Sequence, residues 1–161
     1  MKTASKSTKS TDAVALLKAD HREVEGWFDE FEASRSSAKK AKLATKICAA
    51  LKAHTAIEEE IFYPAFLEAT EDKDIHHEAI VEHAGAKRLI AEIEASSPED
   101  EYFDAKVKVL SEMIKHHVKE EEQAGGMFAE AKKSELDLQD LGAQMARRKE
   151  ELTAGKVRRA A

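Results

Sequence analysis

The chain predicts an all-α fold: an up-down-up-down antiparallel four-helix bundle with an additional C-terminal helix. Three observations carry this. Apolar residues recur at intervals of three and four along four long stretches, which is the signature of helices with one buried face. The chain of 161 residues has two prolines and six glycines, and 36% of its residues are charged, a composition that leaves long helices uninterrupted and gives each a wet side. No segment alternates with the two-residue period of a strand.

The first helix is expected from about Asp12, a good N-cap, to about Ala33, with Val14, Leu17, Val24, Phe28 and Phe31 on one line. Ser34 to Ser37 make the first turn. The second helix runs from about Ala38 into the Pro64 region, carrying Leu43, Ile47, Leu51 and Ile61, and Pro64 kinks or ends its ladder. The third starts near Asp72 or Asp74 and carries Ile80, Ile90 and Ile93. Ser97 and Pro98 read as the cap and first position of the fourth, which carries Phe103, Val107, Leu110 and Ile114 until Gly125-Gly126 breaks it. A last helix, about Leu136 to Leu152, has Leu138, Leu141, Met145 and Leu152 spaced to lie against the bundle. Short loops between consecutive helices favour antiparallel neighbours. Residues 12–133 thus form the bundle. Residues 134–161 form a helix with a basic, frayed end, and residues 1–11, rich in Lys, Ser and Thr, form a disordered tail.

These totals exclude several functions. A net charge of −6 argues against nucleic-acid binding. One cysteine, Cys48, allows neither an intramolecular disulfide framework nor a thiolate zinc cluster. No apolar run is long enough to span a membrane, and the first residues lack the apolar core of a secretory signal, so the cytoplasm is the expected location.

One chemical word recurs. His54-Thr-Ala-Ile-Glu58 and His117-Val-Lys-Glu-Glu121 both read His-x-x-x-Glu, and each follows another histidine at nearly the same distance, His21 by 33 residues and His83 by 34. Helical phase places all four histidines inward. His21 shares a face with Leu17, Val24 and Phe28; His54 with Ile47, Leu51 and Ile61; His83 with Ala79, Ile80 and Ile90; His117 with Leu110 and Ile114. Glu58 and Glu121 lie one turn beyond a histidine on the same stripe. A buried carboxylate without a partner costs several kcal/mol, so two of them beside four imidazoles call for cations, and metal is the simplest supply. His116 has charged neighbours at −4, +3 and +4 and faces outward, which makes His116-x-x-x-Glu120 the weaker frame. His76 shares the phase of His83 and is a candidate outer partner; Glu25, four residues after His21, is a further candidate ligand. Glu59, Glu60, Glu120 and Glu122 read as a solvated face, with Glu59 or Glu60 able to turn inward.

Imidazole with carboxylate suits iron, manganese or zinc. Two ions sharing two glutamates, with about two histidines each, would keep open positions suited to small-molecule chemistry. The Glu-x-x-His motif of ferritin-like di-iron bundles is absent.

Asp20-His21-Arg22-Glu23-Val24, His54 through Pro64, Glu82-His83 and His116 through Glu122 together resemble the four motifs of bacterial hemerythrin-like proteins, the HHE cation-binding domain type. The resemblance covers roughly residues 12 to 130. It implies the ligands His21, His54, Glu58, His83, His117 and Glu121, around a non-haem centre of two iron ions with an oxo or hydroxo bridge; manganese and zinc are the alternatives. Oxygen-carrying members place two histidines four apart on the third helix, where this chain has Ala79 and Lys87 on either side of His83. Their last motif is His-x-x-x-x-Asp, where this one is His-x-x-x-Glu. One histidine fewer implies a more open site, suited to turnover or sensing. The expected ligand is a small diatomic molecule or a peroxide: oxygen, hydrogen peroxide or nitric oxide, bound, sensed or detoxified. The alternatives are a catalase-like enzyme disproportionating peroxide and a non-catalytic iron-storage or regulatory module. No catalytic residue is assigned.

Overall fold

A computed structural model describes residues 11–160, with side chains as far as residue 154. Most of the tail expected over residues 1–11, and the side chains of the basic end, lie outside the described residues.

Helix α1 spans Ala13–Ala33, and Asp12 caps it by accepting from the Ala15 N–H at 2.8 Å. Helix α2 spans Ser37–Ile57, capped by Ser36. The regular ladder of the second predicted helix is interrupted near Pro64, as expected, and the helix then continues. A π-helical segment occupies Glu58–Phe62, and α3, Tyr63–Thr70, follows with Pro64 in its first turn. Pro64 has no N–H to donate to the carbonyl four residues back, and the register slips just upstream of it: the Tyr63 N–H reaches the carbonyl of Glu58, five residues back. Helix α4 spans Lys73–Glu94 with Asp72 as its cap.

Helix α5 spans Phe103–Glu122, so the expected start at Ser97-Pro98 is corrected. The Asp100 carboxylate instead accepts from the Ser97 N–H at 2.8 Å and closes a turn ahead of the helix. The break at Gly125-Gly126 is as expected. Gly125 takes φ +75°, a conformation open to glycine, and a Cβ on Gly126 would stand 2.3 Å from the Glu120 carbonyl oxygen. A short helix that the sequence pattern does not reveal, α6, Met127–Lys133, follows, and α7 runs Leu138–Ala160, well past Leu152.

Helices α1, α2, α4 and α5 pack as a ring, α1 on α2, α2 on α4, α4 on α5 and α5 on α1. Helix α7 lies across α1 and α2, while α3 and α6 close one end of the bundle. The apolar core falls into two clusters. One holds Val24, Phe28, Leu51, Ile90, Leu110 and Ile114; the other holds Leu17, Ile57, Phe62, Phe66, Phe128 and Met145. The buried histidines and glutamates lie where the two meet: Leu17 and Val24, one turn either side of His21, belong to different clusters. No helix among the described residues is long and apolar enough to cross a membrane.

Helix α7 is fastened at its start. A Cβ on Gly142 would come within 2.3 Å of the Thr11 carbonyl oxygen and 2.8 Å of the Ala13 nitrogen, at the cap of α1. Gly142→Ala therefore forces these backbones apart and should destabilise the fold by about 1–3 kcal/mol, read as a lower urea midpoint by circular dichroism; an unchanged midpoint would show that α7 is not held there.

Candidate metal centre

All six residues singled out in the sequence come together. His21, His54, His83 and His117 are 3–6% exposed, Glu58 is 0% and Glu121 2% exposed. They form two groups joined by Glu58: His21, His54, Glu58 and Glu121 in one, and Glu58, His83 and His117 in the other, each with its ligand atoms within 4.8 Å of one another. Each glutamate reaches from one histidine pair to the other. Glu58 meets His54 Nε2 through Oε1 and lies 3.8 Å from His83 Nε2 through Oε2. Glu121 Oε1 lies 3.3 Å from His21 Nε2 and 3.4 Å from His117 Nε2.

The other nitrogen of every ring is held from outside. His21 Nδ1 lies 2.8 Å from Glu122, His54 Nδ1 3.0 Å from Asp20, His83 Nδ1 3.1 Å from Glu59 and His117 Nδ1 2.7 Å from Glu82. A carboxylate on Nδ1 fixes the N–H there and leaves the Nε2 lone pair pointing inward, the arrangement that orients and strengthens imidazole as a metal ligand. Each of these acids is the chain neighbour of an inward residue: Asp20 of His21, Glu59 of Glu58, Glu82 of His83, Glu122 of Glu121. One residue is about 100° around a helix, so the acid misses its neighbour's site and faces the histidine of another segment. Each acid is in turn met by a base: Lys149 of α7 on Asp20 at 2.5 Å, Lys87 on Glu59 at 2.6 Å, Arg22 on Glu122 and His116 on Glu82 at 3.2 Å.

The electrostatics follow. Burial pulls the His54 pKa down, but the Glu58 and Asp20 carboxylates outweigh it and push it up to about 10. Burial likewise opposes protonation of His117, and Glu121, Glu82 and Glu58 raise it well above the ordinary imidazole value. His83 goes the other way, lowered by burial and by the charge of His117 against the pull of Glu58. Burial raises the carboxyl pKa of Asp20, yet His54 and Lys149 carry it below its usual range.

His21 Nε2, His54 Nε2, both oxygens of Glu58 and Glu121 Oε1 are buried without a well-formed hydrogen bond, although they face one another. His83 Nε2 and His117 Nε2 are 3.2 Å apart. Buried polar atoms are normally paired; converging nitrogen and oxygen atoms of this kind are a donor set for cations once the imidazole protons leave, and they fit nitrogen- and oxygen-liganded metals.

The sequence missed several participants. The four orienting acids were readable only as parts of motifs or of a wet face; the position next to an inward ligand was the available signal. Tyr63 was missed as well. Its hydroxyl donates to Glu121 Oε2 at 3.0 Å and lies 3.0 Å from His83 Nε2 and 3.2 Å from His117 Nε2. It stands five residues after Glu58, on the inward side once the π-helical slip is included. Glu25 is outside the cluster, paired with Arg22. His76 is half-buried with its ring 6.2 Å from that of Tyr63, and His77 is exposed. His116 faces out as expected, pairing with Glu82 and Glu120.

Fold and cluster together define a class: a four-helix bundle with buried histidine and glutamate groups able to hold metal. Residues 12–128 match the model of the hemerythrin HHE cation binding domain, and the chain belongs to that family. It is 31% identical over 107 residues to a DNA nickase of Nostoc sp. (strain PCC 7120), a match covering 66% of this chain and 30% of that protein. Its fold is that of the crystal structure of a hemerythrin HHE cation binding domain-containing protein from Mycobacterium kansasii, with a TM-score of 0.75 and 21% identity over 91% of this chain and 90% of the other.

Two outcomes follow for metal uptake. A cation taking the Nε2 lone pairs of His54 and His117 must displace the protons that their raised pKa values hold there, so uptake near pH 7 should release protons and weaken as pH falls. Calorimetry in buffers of different ionisation enthalpy reads this, and no net proton release would contradict it. Asp20→Asn should weaken metal affinity by about 10- to 100-fold without unfolding the chain, measured by competition against a chelator.

Proposed function

We propose that this protein holds two iron ions through His21, His54, Glu58, His83, His117 and Glu121, and that the pair meets oxygen, a peroxide or nitric oxide. The observation that carries the reading is the pairing of two inward glutamates with four imidazoles whose Nδ1 atoms are all committed to carboxylates. When bound, such ions supply one-electron redox chemistry and free coordination positions. The chain supplies the rest. Glu58 and Glu121 span the two histidine pairs. Asp20, Glu59, Glu82 and Glu122 keep the rings oriented. Phe62, which is fully buried, and Phe128, whose ring stacks 5.9 Å from that of His21, keep water from the glutamate side.

Tyr63 places a proton beside His83, His117 and Glu121. Burial and the neighbouring Glu58 and Glu121 charges raise its pKa well above the phenol value, so the hydroxyl is a neutral donor. This favours a second reading, disproportionation of hydrogen peroxide. Oxygen evolution lost in Tyr63→Phe at unchanged metal content would support it.

Anaerobic addition of Fe(II) to the metal-free protein should load nearly two irons per chain, and air should then give the absorption of an oxo-bridged pair. A folded chain that takes up no iron would overturn the reading.

A further inference from the structure

A cavity of about 340 Å³ adjoins the centre, with the four ligand imidazoles along one wall. Asp20, Glu82 and Thr55 line it beside the rings, and a layer of core side chains about one turn away, Val24, Leu51, Ala86 and Ile114 with Met113 at the side, makes it mostly apolar. Glu58, Glu121 and Tyr63 do not line it. The gap has a sequence cause. Three positions of this layer carry branched side chains and the fourth carries Ala86. Beside it is Gly85, and Met113 Cε lies 3.2 Å from where a Cβ on Gly85 would stand, so the thioether lies close against the helix there. The cavity reaches the surface at Glu112 and His116, both exposed.

The size does not match a diatomic molecule or hydrogen peroxide. A water's share of liquid volume is about 30 Å³, and an apolar cavity of about 150 Å³ already accommodates benzene while staying dry. The aliphatic layer offers a file of waters few hydrogen bonds, whereas an apolar body fills it by displacing water. We propose that this cavity binds the apolar body of a small organic hydroperoxide, an aryl or branched alkyl group of cumyl size, with its oxygen end toward the imidazoles. This rests on the reading of the cluster as a metal centre for oxidants, and it names the class of oxidant. Met113, unbranched and flexible, suits a wall that must yield to such a body.

The probe is cumyl alcohol, which has the same body and no peroxide bond, added to the full chain loaded with zinc. Saturable one-to-one binding is expected by calorimetry, with nuclear Overhauser contacts from its methyl protons to the Met113 and Ile114 methyls. Ala86→Leu, which fills the gap, should weaken binding on the order of tenfold or more at unchanged zinc content. Should that variant fail to fold, the Overhauser contacts in the unaltered chain decide. No saturable binding, contacts only to other residues, or full binding in Ala86→Leu each overturn the proposal. Zinc content is read separately. A chain that takes up no zinc overturns the metal centre, whereas one that takes up two and binds no cumyl alcohol overturns the cavity proposal alone.

Discussion

The constraint on which the rest depends is the charge balance of the buried layer. Glu58 and Glu121 sit in the middle of an apolar bundle, where a carboxylate without compensation costs several kcal/mol. Protons on His54 and His117 meet that need in the metal-free chain, and cations meet it when bound. From this layer the charges alternate outward: inward glutamates and imidazoles, then Asp20, Glu59, Glu82 and Glu122, then Lys149, Lys87 and Arg22 on three of these acids. Each shell neutralises the one within it, so four imidazoles can be held rigidly in a core that would otherwise reject them. The outermost pairs are partly exposed, so each contributes little to stability by itself; their effect lies in holding the acids that hold the rings.

The C-terminal helix belongs to this scheme. The family match ends at residue 128, yet α7 sends Lys149 to Asp20, Arg148 to Glu60 and Met145 into the cluster beside Phe62. An appended helix thereby secures His54 through Asp20 and packs over the π-helical segment that carries Glu58.

What the sequence made legible was what helical periodicity encodes. A residue replacing an apolar one on an inward stripe is visible at a spacing of three, four or seven, which is why His21, His54, Glu58, His83, His117 and Glu121 could be picked out together and His116 set aside. The orienting acids obey a different rule. Asp20 serves His54 and Glu122 serves His21, pairs 34 and 101 residues apart, so their partners depend on which helices pack together. Tyr63 was hidden by the slip at Glu58–Phe62, because regular spacing does not apply across an extra residue in a turn. The start of α5 was misjudged for a local reason: the cap-like bond between Ser97 and Asp100 closes a separate turn, and the regular helix begins only at Phe103.

The two sides of the layer differ, and the difference follows from these packings. On one side Tyr63, Phe62 and Phe128 close over the glutamates, with the phenol hydroxyl as the polar group aimed inward. On the other, Ala86 leaves the core unfilled beneath the imidazoles. The π-helical slip brings Tyr63 into the first side, and the small pair Gly85-Ala86 opens the second. Because each Nδ1 is already committed to a carboxylate, the rings cannot turn to fill that space. An incoming molecule therefore meets fixed imidazoles from the aliphatic side and a proton donor from the other. That separation suits a ligand with an apolar end and an oxygen end better than one without any such polarity.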